Sequence, residues 1–190
     1  AKSCCAEPYF HPVLVARENL LVIPDARDAA WLTLDGQEAL NLLACSSAVQ
    51  FTIDAPLQHA VQYLNVLGRH IGEFLRCYPQ DVVWKRYIAE SPAGYHLLRY
   101  GGPLLFENIE QYCEELERHK VVVGTRLLPH GEVHDLNIPL FLRSVWWYFR
   151  LKRYGDRLCI EVRPLPRKND LDIWTQLDWV LSILKSINVS

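Results

Sequence analysis

The most constraining part of this 190-residue chain is a strand pattern that runs directly into the clearest helix pattern. In Ser46–Asp54, polar side chains such as Gln50 alternate with apolar ones such as Phe51, and this period of two predicts a half-buried strand. Pro56–Cys77 then predicts a long helix, because proline suits a first helical turn and apolar side chains recur at helical spacing. A strand followed at once by such a helix favours a sheet with helices packed on one of its faces.

Strand and helix patterns alternate along the rest of the chain. Strands are predicted at Val13–Ile23, Val121–Leu128, Arg150–Tyr154 and Leu158–Val162, and helices at Gln37–Ala44, Glu107–Arg118 and Asp170–Ile187. A tight turn at Gly155 and Asp156 joins the last two strands. This order favours an α+β fold with a mainly antiparallel sheet over a doubly wound parallel one. The length fits a single domain over residues 1–190.

Composition argues against two classes of partner. The formal net charge of -2 provides no basic surface of the kind that nucleic-acid-binding proteins use. No apolar run reaches the roughly 18 residues that a membrane-spanning helix needs. We therefore expect this chain to bind neither nucleic acid nor membranes.

The cysteines predict a cytoplasmic protein. All six are scattered without C-x-x-C spacing, and most of them fall inside predicted helices or strands. We interpret them as buried, reduced thiols, because disulfide frameworks are typical of smaller secreted chains. The chain also contains no methionine, not even at its start, so we expect the complete chain to be longer.

The strand Leu158–Arg163 carries the most informative chemistry. Its alternation places Cys159, Glu161 and Arg163 on one face and three aliphatic side chains on the other. A carboxylate here could hold Mg²⁺, which prefers oxygen ligands, and a guanidinium two residues on could grip a phosphate or a carboxylate. A salt bridge between Glu161 and Arg163 on a solvated sheet face explains the same pattern without a ligand.

Two segments resemble motifs from the C-terminal half of the glutamate–cysteine ligase family, within the carboxylate–amine ligase superfamily. Cys159–Pro166 (CIEVRPLP) is similar to the late family motif, in which a strand ends in Glu, an aliphatic residue and Arg before a loop. Leu43–Asp54 (LACSSAVQFTID) is similar to the helix-to-strand segment in which small residues precede a strand that bears Val-Gln or His. Both segments occur in the family's order, and the likeness covers roughly residues 33–187.

The resemblance implies a glutamine synthetase-like half-barrel of antiparallel strands whose concave face binds ATP, Mg²⁺ and glutamate. The γ-carboxylate of glutamate is then phosphorylated, and the amine of cysteine or of another small molecule displaces the phosphate. Such chemistry works through neutralisation of the transferred phosphoryl group by the metal and through positioning. The expected partners are therefore small-molecule substrates.

The resemblance also assigns roles to individual residues. It makes Glu161 a Mg²⁺ ligand and gives Gln50 a metal or substrate position that other members fill with His or Gln. Arg163 becomes the catalytic arginine, which contacts nucleotide phosphate or the acyl phosphate. Arg150 and Arg153 add phosphate contacts from the neighbouring strand.

The family pattern leaves two points open. Arg86 is a candidate for the substrate carboxylate only through its place after the long helix. Ligases of this family also carry an early strand with several glutamates that bind further Mg²⁺ ions, whereas Glu7 and Glu18 are isolated here. The chain is therefore expected to be part of a ligase or, alternatively, a non-catalytic ligand-binding or interaction module on the same fold.

Overall fold

A computed structural model describes Val13 and residues 26–133, 145–167 and 172–187, over which helices and strands alternate. The helices are α1 (Ala26–Ala44), α2 (Ala60–Arg69), α3 (Ile71–Arg76), α4 (Gln80–Glu90), α5 (Ile109–Glu117) and α6 (Asp172–Lys185). The strands are β1 (Ala48–Asp54), β2 (Tyr100–Gly101), β3 (Val121–Val123), β4 (Arg126–Leu128), β5 (Trp146–Trp147), β6 (Phe149–Tyr154) and β7 (Arg157–Pro166).

These strands form one three-stranded sheet and two small sheets. The main sheet has the order β1-β7-β6, and both of its pairings are antiparallel. β3 and β4 form an antiparallel hairpin, whereas β2 and β5 pair in parallel. The prediction of a mixed fold with mainly antiparallel pairing is confirmed over the described residues, whose strands do not close into a barrel.

The main sheet has one apolar and one polar face. Its apolar face holds Ile53, Phe149, Leu151, Ile160 and Val162. α2 packs on β6 and on α6, and α3 packs on β7, so helices cover this face as predicted. The fully buried ring of Phe74 in α3 joins the layers, because its centroid lies 5.2 Å from that of Phe149 and 4.4 Å from that of Trp179 in α6. The opposite face carries the polar side chains of the sheet.

Two helix predictions need correction. The segment Pro56–Cys77 is not one helix, because α2 ends at Arg69, α3 begins at Ile71 and His70 lies between them. The predicted helix Gln37–Ala44 is present as the second part of α1, but α1 begins eleven residues earlier, at Ala26. The two parts meet at a kink at Gly36, where the glycine has a φ of 77° in the left-handed region.

Other segments also differ from the sequence expectations. Val121–Leu128 is a hairpin and not a single strand, since the chain turns at Gly124, which has a φ of 57°. α4 forms where no element is predicted. The predicted strand Val13–Ile23 lies outside the described residues except for Val13, which forms an isolated antiparallel bridge with Ser46.

A buried carboxylate ties α1 to α4 and to the loop that follows it. Asp35 is 3% exposed and accepts hydrogen bonds from the hydroxyls of Tyr87 (2.6 Å), Ser91 (2.5 Å) and Tyr95 (3.1 Å). Burying a carboxylate is costly unless it is hydrogen-bonded, and these three donors meet that need. The network therefore fixes how α1 packs on α4.

The cysteines follow the sequence expectation only in part. Cys45 and Cys159 are buried, but Cys77 and Cys113 are exposed, so the prediction of buried thiols is wrong for the second pair. All four are free thiols. Among the described helices, none is both long enough and apolar enough to cross a membrane.

Candidate functional site

A cluster of charged side chains lies on the polar face of the main sheet, centred on Glu161, which is 4% exposed. Arg150 donates from Nε and Nη2 to Glu161 Oε2 over 3.1 and 2.5 Å. Lys152 Nζ and Tyr154 Oη donate to the other carboxylate oxygen over 2.9 and 3.2 Å. Arg163 Nη1 lies 3.5 Å from Oε2. One buried carboxylate thus contacts three cationic side chains.

Strand register explains why these side chains meet. Arg150 stands directly opposite Glu161 in the β6–β7 pair, and alternation puts Lys152 and Tyr154 on the same face. Arg163 follows two residues later on β7, as the sequence predicts. The alternative was a salt bridge on a solvated sheet face. Glu161 does pair with Arg163, but this part of the face is not solvated, because Glu161 is buried.

The charges in this cluster do not balance. Burial alone raises the pKa of Glu161, but the charge of Arg150 and hydrogen bonds from Lys152 and Arg150 outweigh this effect and lower it to about 2. Burial and the nearby Arg150 lower the pKa of Arg163 to about 10, against the opposing effect of Glu161. At neutral pH, one negative and three positive groups therefore leave the cluster with excess positive charge.

An irregularity in the main sheet brings Gln50 next to Arg163. The β7 partners of Val49 and Phe51 are separated by two residues instead of one, so Arg163 and Pro164 together stand opposite Gln50. A bulge of this kind bends its strand and redirects the side chains beside it, and bulges are common next to binding sites. Two residues that are distant in sequence are thus adjacent at one edge of the charged cluster.

Gln50 and Arg163 line one cavity of about 210 Å³. Six aromatic side chains also line it: Tyr78, Trp84, Tyr100, Trp146, Trp147 and Tyr148. The rings of Trp84 and Tyr100 are stacked, with centroids 5.5 Å apart. The side chain of Arg163 lines this cavity and keeps 17% of its surface exposed.

The chemistry of this cavity suits a small anion. A guanidinium presents several donors in a fixed fork, which matches the two oxygens of a carboxylate or of a phosphate. Comparisons with protein-family models, curated proteins and solved structures gave no match.

The residues around Glu161 do not fit the Mg²⁺ role that the resemblance implies. Both carboxylate oxygens already accept hydrogen bonds, from Arg150 on one side and from Lys152 and Tyr154 on the other. A metal ion would also enter a cluster with excess positive charge, where carboxylates should supply the counter-charge. Over the ranges that the structure describes, no group of three His, Cys, Asp or Glu side chains could hold a metal ion.

The other arginines of the predicted site lie in different surroundings. Arg150 lies in the charged cluster, where it bonds Glu161 and also donates to the backbone oxygen of Val145 over 2.8 Å. Arg153 lies near the β6–β7 turn, on the sheet face opposite Arg150, and donates to the oxygen of Gly155. The structure therefore does not bring Arg153 to the cavity.

Arg86 is also separate from the cavity beside Arg163. Its exposed side chain pairs with Glu90 over 2.9 Å on α4. Together these two residues line a different, more open cavity of about 460 Å³, which also includes Asp35 and Glu38. Two separate cavities thus contain the residues that the resemblance assigns to one substrate.

Several residues of the cavity were missed by the sequence reasoning. Tyr100 and Tyr148 line it, and both donate to the buried carboxylate of Asp81, Tyr100 over 3.1 Å. Burial is the main reason that the pKa of Tyr78 is raised to about 12. The charge of Arg163 lowers this pKa and that of Asp81 raises it, so both charges act on the Tyr78 hydroxyl. The turn at residues 101–103 and the aromatic run at 146–149 were visible in the sequence, but their pairing through β2 and β5 was not.

Proposed function

We propose that this chain is a protein of the glutamate–cysteine ligase type that holds a small carboxylate substrate in the cavity beside Arg163. The supporting observation is that Gln50 and Arg163, the central residues of the two family-like segments, line the same cavity. The guanidinium would bind the carboxylate, and the amide of Gln50 would add a hydrogen bond. The excess positive charge of the neighbouring cluster favours an anionic ligand.

The size of the cavity supports a small substrate. Pockets for drug-sized ligands typically enclose roughly 300–1,000 Å³. The cavity beside Arg163 has about 210 Å³, which suits a ligand the size of one amino acid. Glutamate is the substrate that the resemblance implies, and its carboxylates offer the group that Arg163 would bind.

The complete ligase reaction is the broader part of this proposal. It includes the glutamine synthetase-like half-barrel, ATP and Mg²⁺, and cysteine or another amine as the second substrate. Carboxylates able to hold Mg²⁺ would have to come from outside the described residues, since Glu161 is already surrounded by cations. In this proposal Arg150 pairs with Glu161 in the charged cluster. Arg153 and Arg86 do not contact the carboxylate of the substrate.

A non-catalytic binding module on the same fold is the second candidate. The arrangement around Glu161 favours it, because both oxygens of the carboxylate are taken up by protein groups. Such a module would bind the carboxylate through Arg163 and Gln50 and would not transfer phosphate.

Calorimetric titration with glutamate tests the carboxylate site. Arg163→Met should weaken binding about 10- to 100-fold, because it removes charged hydrogen bonds to the ligand and keeps most of the side-chain length. Arg157→Met is the matched control, since Arg157 lies on the same strand, is 71% exposed and pairs with Asp54. Circular dichroism should verify that both variants are folded. Equal affinity of the two variants for glutamate would refute the role of Arg163.

A turnover measurement separates the two candidates. The chain would be incubated with Mg²⁺ and ATP, and phosphate release would be followed with and without glutamate and cysteine. Release that requires both amino acids supports the ligase. Glutamate binding without such release supports the binding module. If glutamate neither binds nor promotes release, both candidates fail.

A further inference from the structure

The cavity beside Arg163 contains two chemically opposite kinds of hydrogen-bonding group. Arg163 offers donors alone, because a guanidinium has no acceptor. Four hydroxyl side chains also line the cavity, those of Ser46, Tyr78, Tyr100 and Tyr148. The direction in which each hydroxyl hydrogen points decides what these groups can recognise.

Three of these hydroxyl hydrogens, those of Ser46, Tyr100 and Tyr148, are directed at protein acceptors. Ser46 Oγ donates to the backbone oxygen of Leu43 over 2.9 Å. Tyr100 Oη and Tyr148 Oη both donate to the same oxygen of Asp81, the former over 3.1 Å. A hydroxyl that has donated its hydrogen still has lone pairs, so the oxygens of Ser46, Tyr100 and Tyr148 can only accept from a ligand.

Asp81 is the residue that fixes this polarity for the two tyrosines. Its side chain is mostly buried, and its second oxygen pairs with Lys85 Nζ over 2.7 Å. A carboxylate has no hydrogen to donate, so Asp81 acts only as the acceptor for both hydroxyls. Burial, with smaller effects of neighbouring groups that include Asp81, raises the pKa of Tyr100 and of Tyr148. Both tyrosines consequently remain neutral donors to Asp81 at physiological pH.

We infer that Asp81 is a positioning residue that makes the cavity selective for a carboxylate ligand with an ammonium group, such as a free amino acid. The carboxylate would bind Arg163, and the ammonium hydrogens would be donated to the hydroxyl oxygens that Asp81 orients. The aromatic walls favour the same ligand, because ring faces attract cations. This inference rests on the proposed carboxylate site and specifies the second group of its ligand.

A simple dicarboxylate fits this cavity less well. It has no amine hydrogen to donate, so the hydroxyl oxygens that Asp81 orients would be left without a donor from the ligand. A site built to bond a donor rejects an analogue that lacks the donor, because the acceptors of the site are then left unpaired. Glutamate and glutarate share both carboxylates and differ by the amine, so they are suitable probes.

Calorimetric titration of the 190-residue chain with glutamate and with glutarate tests the inference. The wild type should bind glutamate about 10- to 100-fold more tightly than glutarate. Asp81→Asn and Tyr148→Phe should bring this ratio close to one while the affinity for glutarate changes little. Val82→Ala should keep the wild-type ratio, since Val82 neighbours Asp81 on α4 but is 71% exposed.

The outcomes distinguish this inference from the proposed function. Equal binding of the two ligands by the wild type, or a ratio unchanged in a folded variant, overturns the role of Asp81 and leaves the carboxylate site intact. A parallel loss of affinity for both ligands indicates a merely structural Asp81 and likewise overturns it. If Asp81→Asn fails to fold, Tyr148→Phe decides, because it keeps the ring. Binding of neither ligand by the wild type overturns the carboxylate site and, with it, the inference.

Discussion

Replacing Glu161 by alanine is expected to lower the free energy of unfolding by about 3–5 kcal/mol. The substitution removes the carboxylate that pairs with both Arg150 and Lys152, and the side chain of Arg150 is only 6% exposed. Removing one member of a buried ion pair destabilises a protein far more than the intact pair stabilises it, because the remaining charge stays desolvated. The effect should appear in urea unfolding as a lower midpoint with an unchanged slope.

Glu90→Ala is the matched control for this change. Glu90 also pairs with an arginine, Arg86, but both side chains are more than half exposed on α4. Solvent screens such a pair, so its loss should cost at most about 1 kcal/mol. Similar losses in the two variants would mean that the charged cluster does not stabilise the sheet.

The same cluster predicts a specific loss of stability in acid. The pKa of Glu161 is lowered in the folded protein from its ordinary 4.5 to about 2, so the stabilisation is complete above the unfolded value. As the pH falls from about 4.5 towards 2, the unfolded chain binds a proton first and the stabilisation declines. Melting temperatures measured over this range should therefore fall more steeply for the wild type than for Glu161→Gln. Parallel curves would contradict the lowered pKa.

The main sheet was largely predictable because its information is local. Alternation fixed the faces of β1 and β7, and the short turn at Gly155 fixed the pairing of β6 with β7. These two facts were enough to place Glu161 beside Arg163 on one face. The bulge was not predictable, since it depends on how β1 and β7, more than a hundred residues apart in sequence, align around Gln50.

Helix α4 was not predicted, because polar residues occupy part of its buried side. Gln80 and Asp81 lie inside the protein together with Tyr87 and Ile88, so polar residues interrupt the apolar stripe that identifies a helix. Asp81 becomes part of the cavity only through tyrosines that are far away in sequence. A carboxylate in a polar stretch gives no local sign that two distant hydroxyls converge on it.

Gly68→Ala is expected to destabilise the protein by more than about 3 kcal/mol, beyond the usual cost of overpacking. A Cβ at this position of α2 would lie 1.9 Å from the backbone oxygen of Leu104. The loop cannot easily yield, because the Asn65 side chain, one turn earlier, donates to Phe106 O over 2.7 Å and accepts from Phe106 N over 2.8 Å. This steric cost far exceeds the roughly 1 kcal/mol that alanine gains over glycine in a helix.

Gly72→Ala in α3 should have the opposite sign. A Cβ at Gly72 meets no atom within 4 Å, so only the helical preference of alanine remains, worth about 0.5–1 kcal/mol of added stability. Urea unfolding of both variants measures the two effects on the same scale. Equal shifts would mean that α2 does not pack as closely on the 104–106 loop as described.

The packing of α2 on this loop also matters for the cavity beside Arg163. The loop continues from Gly102, where an added Cβ would lie 2.4 Å from the ring of Trp147, which lines the cavity. Close packing of α2 on the loop thus holds one aromatic wall of the cavity in place, and Gly68→Ala should weaken glutamate binding even where the variant remains folded.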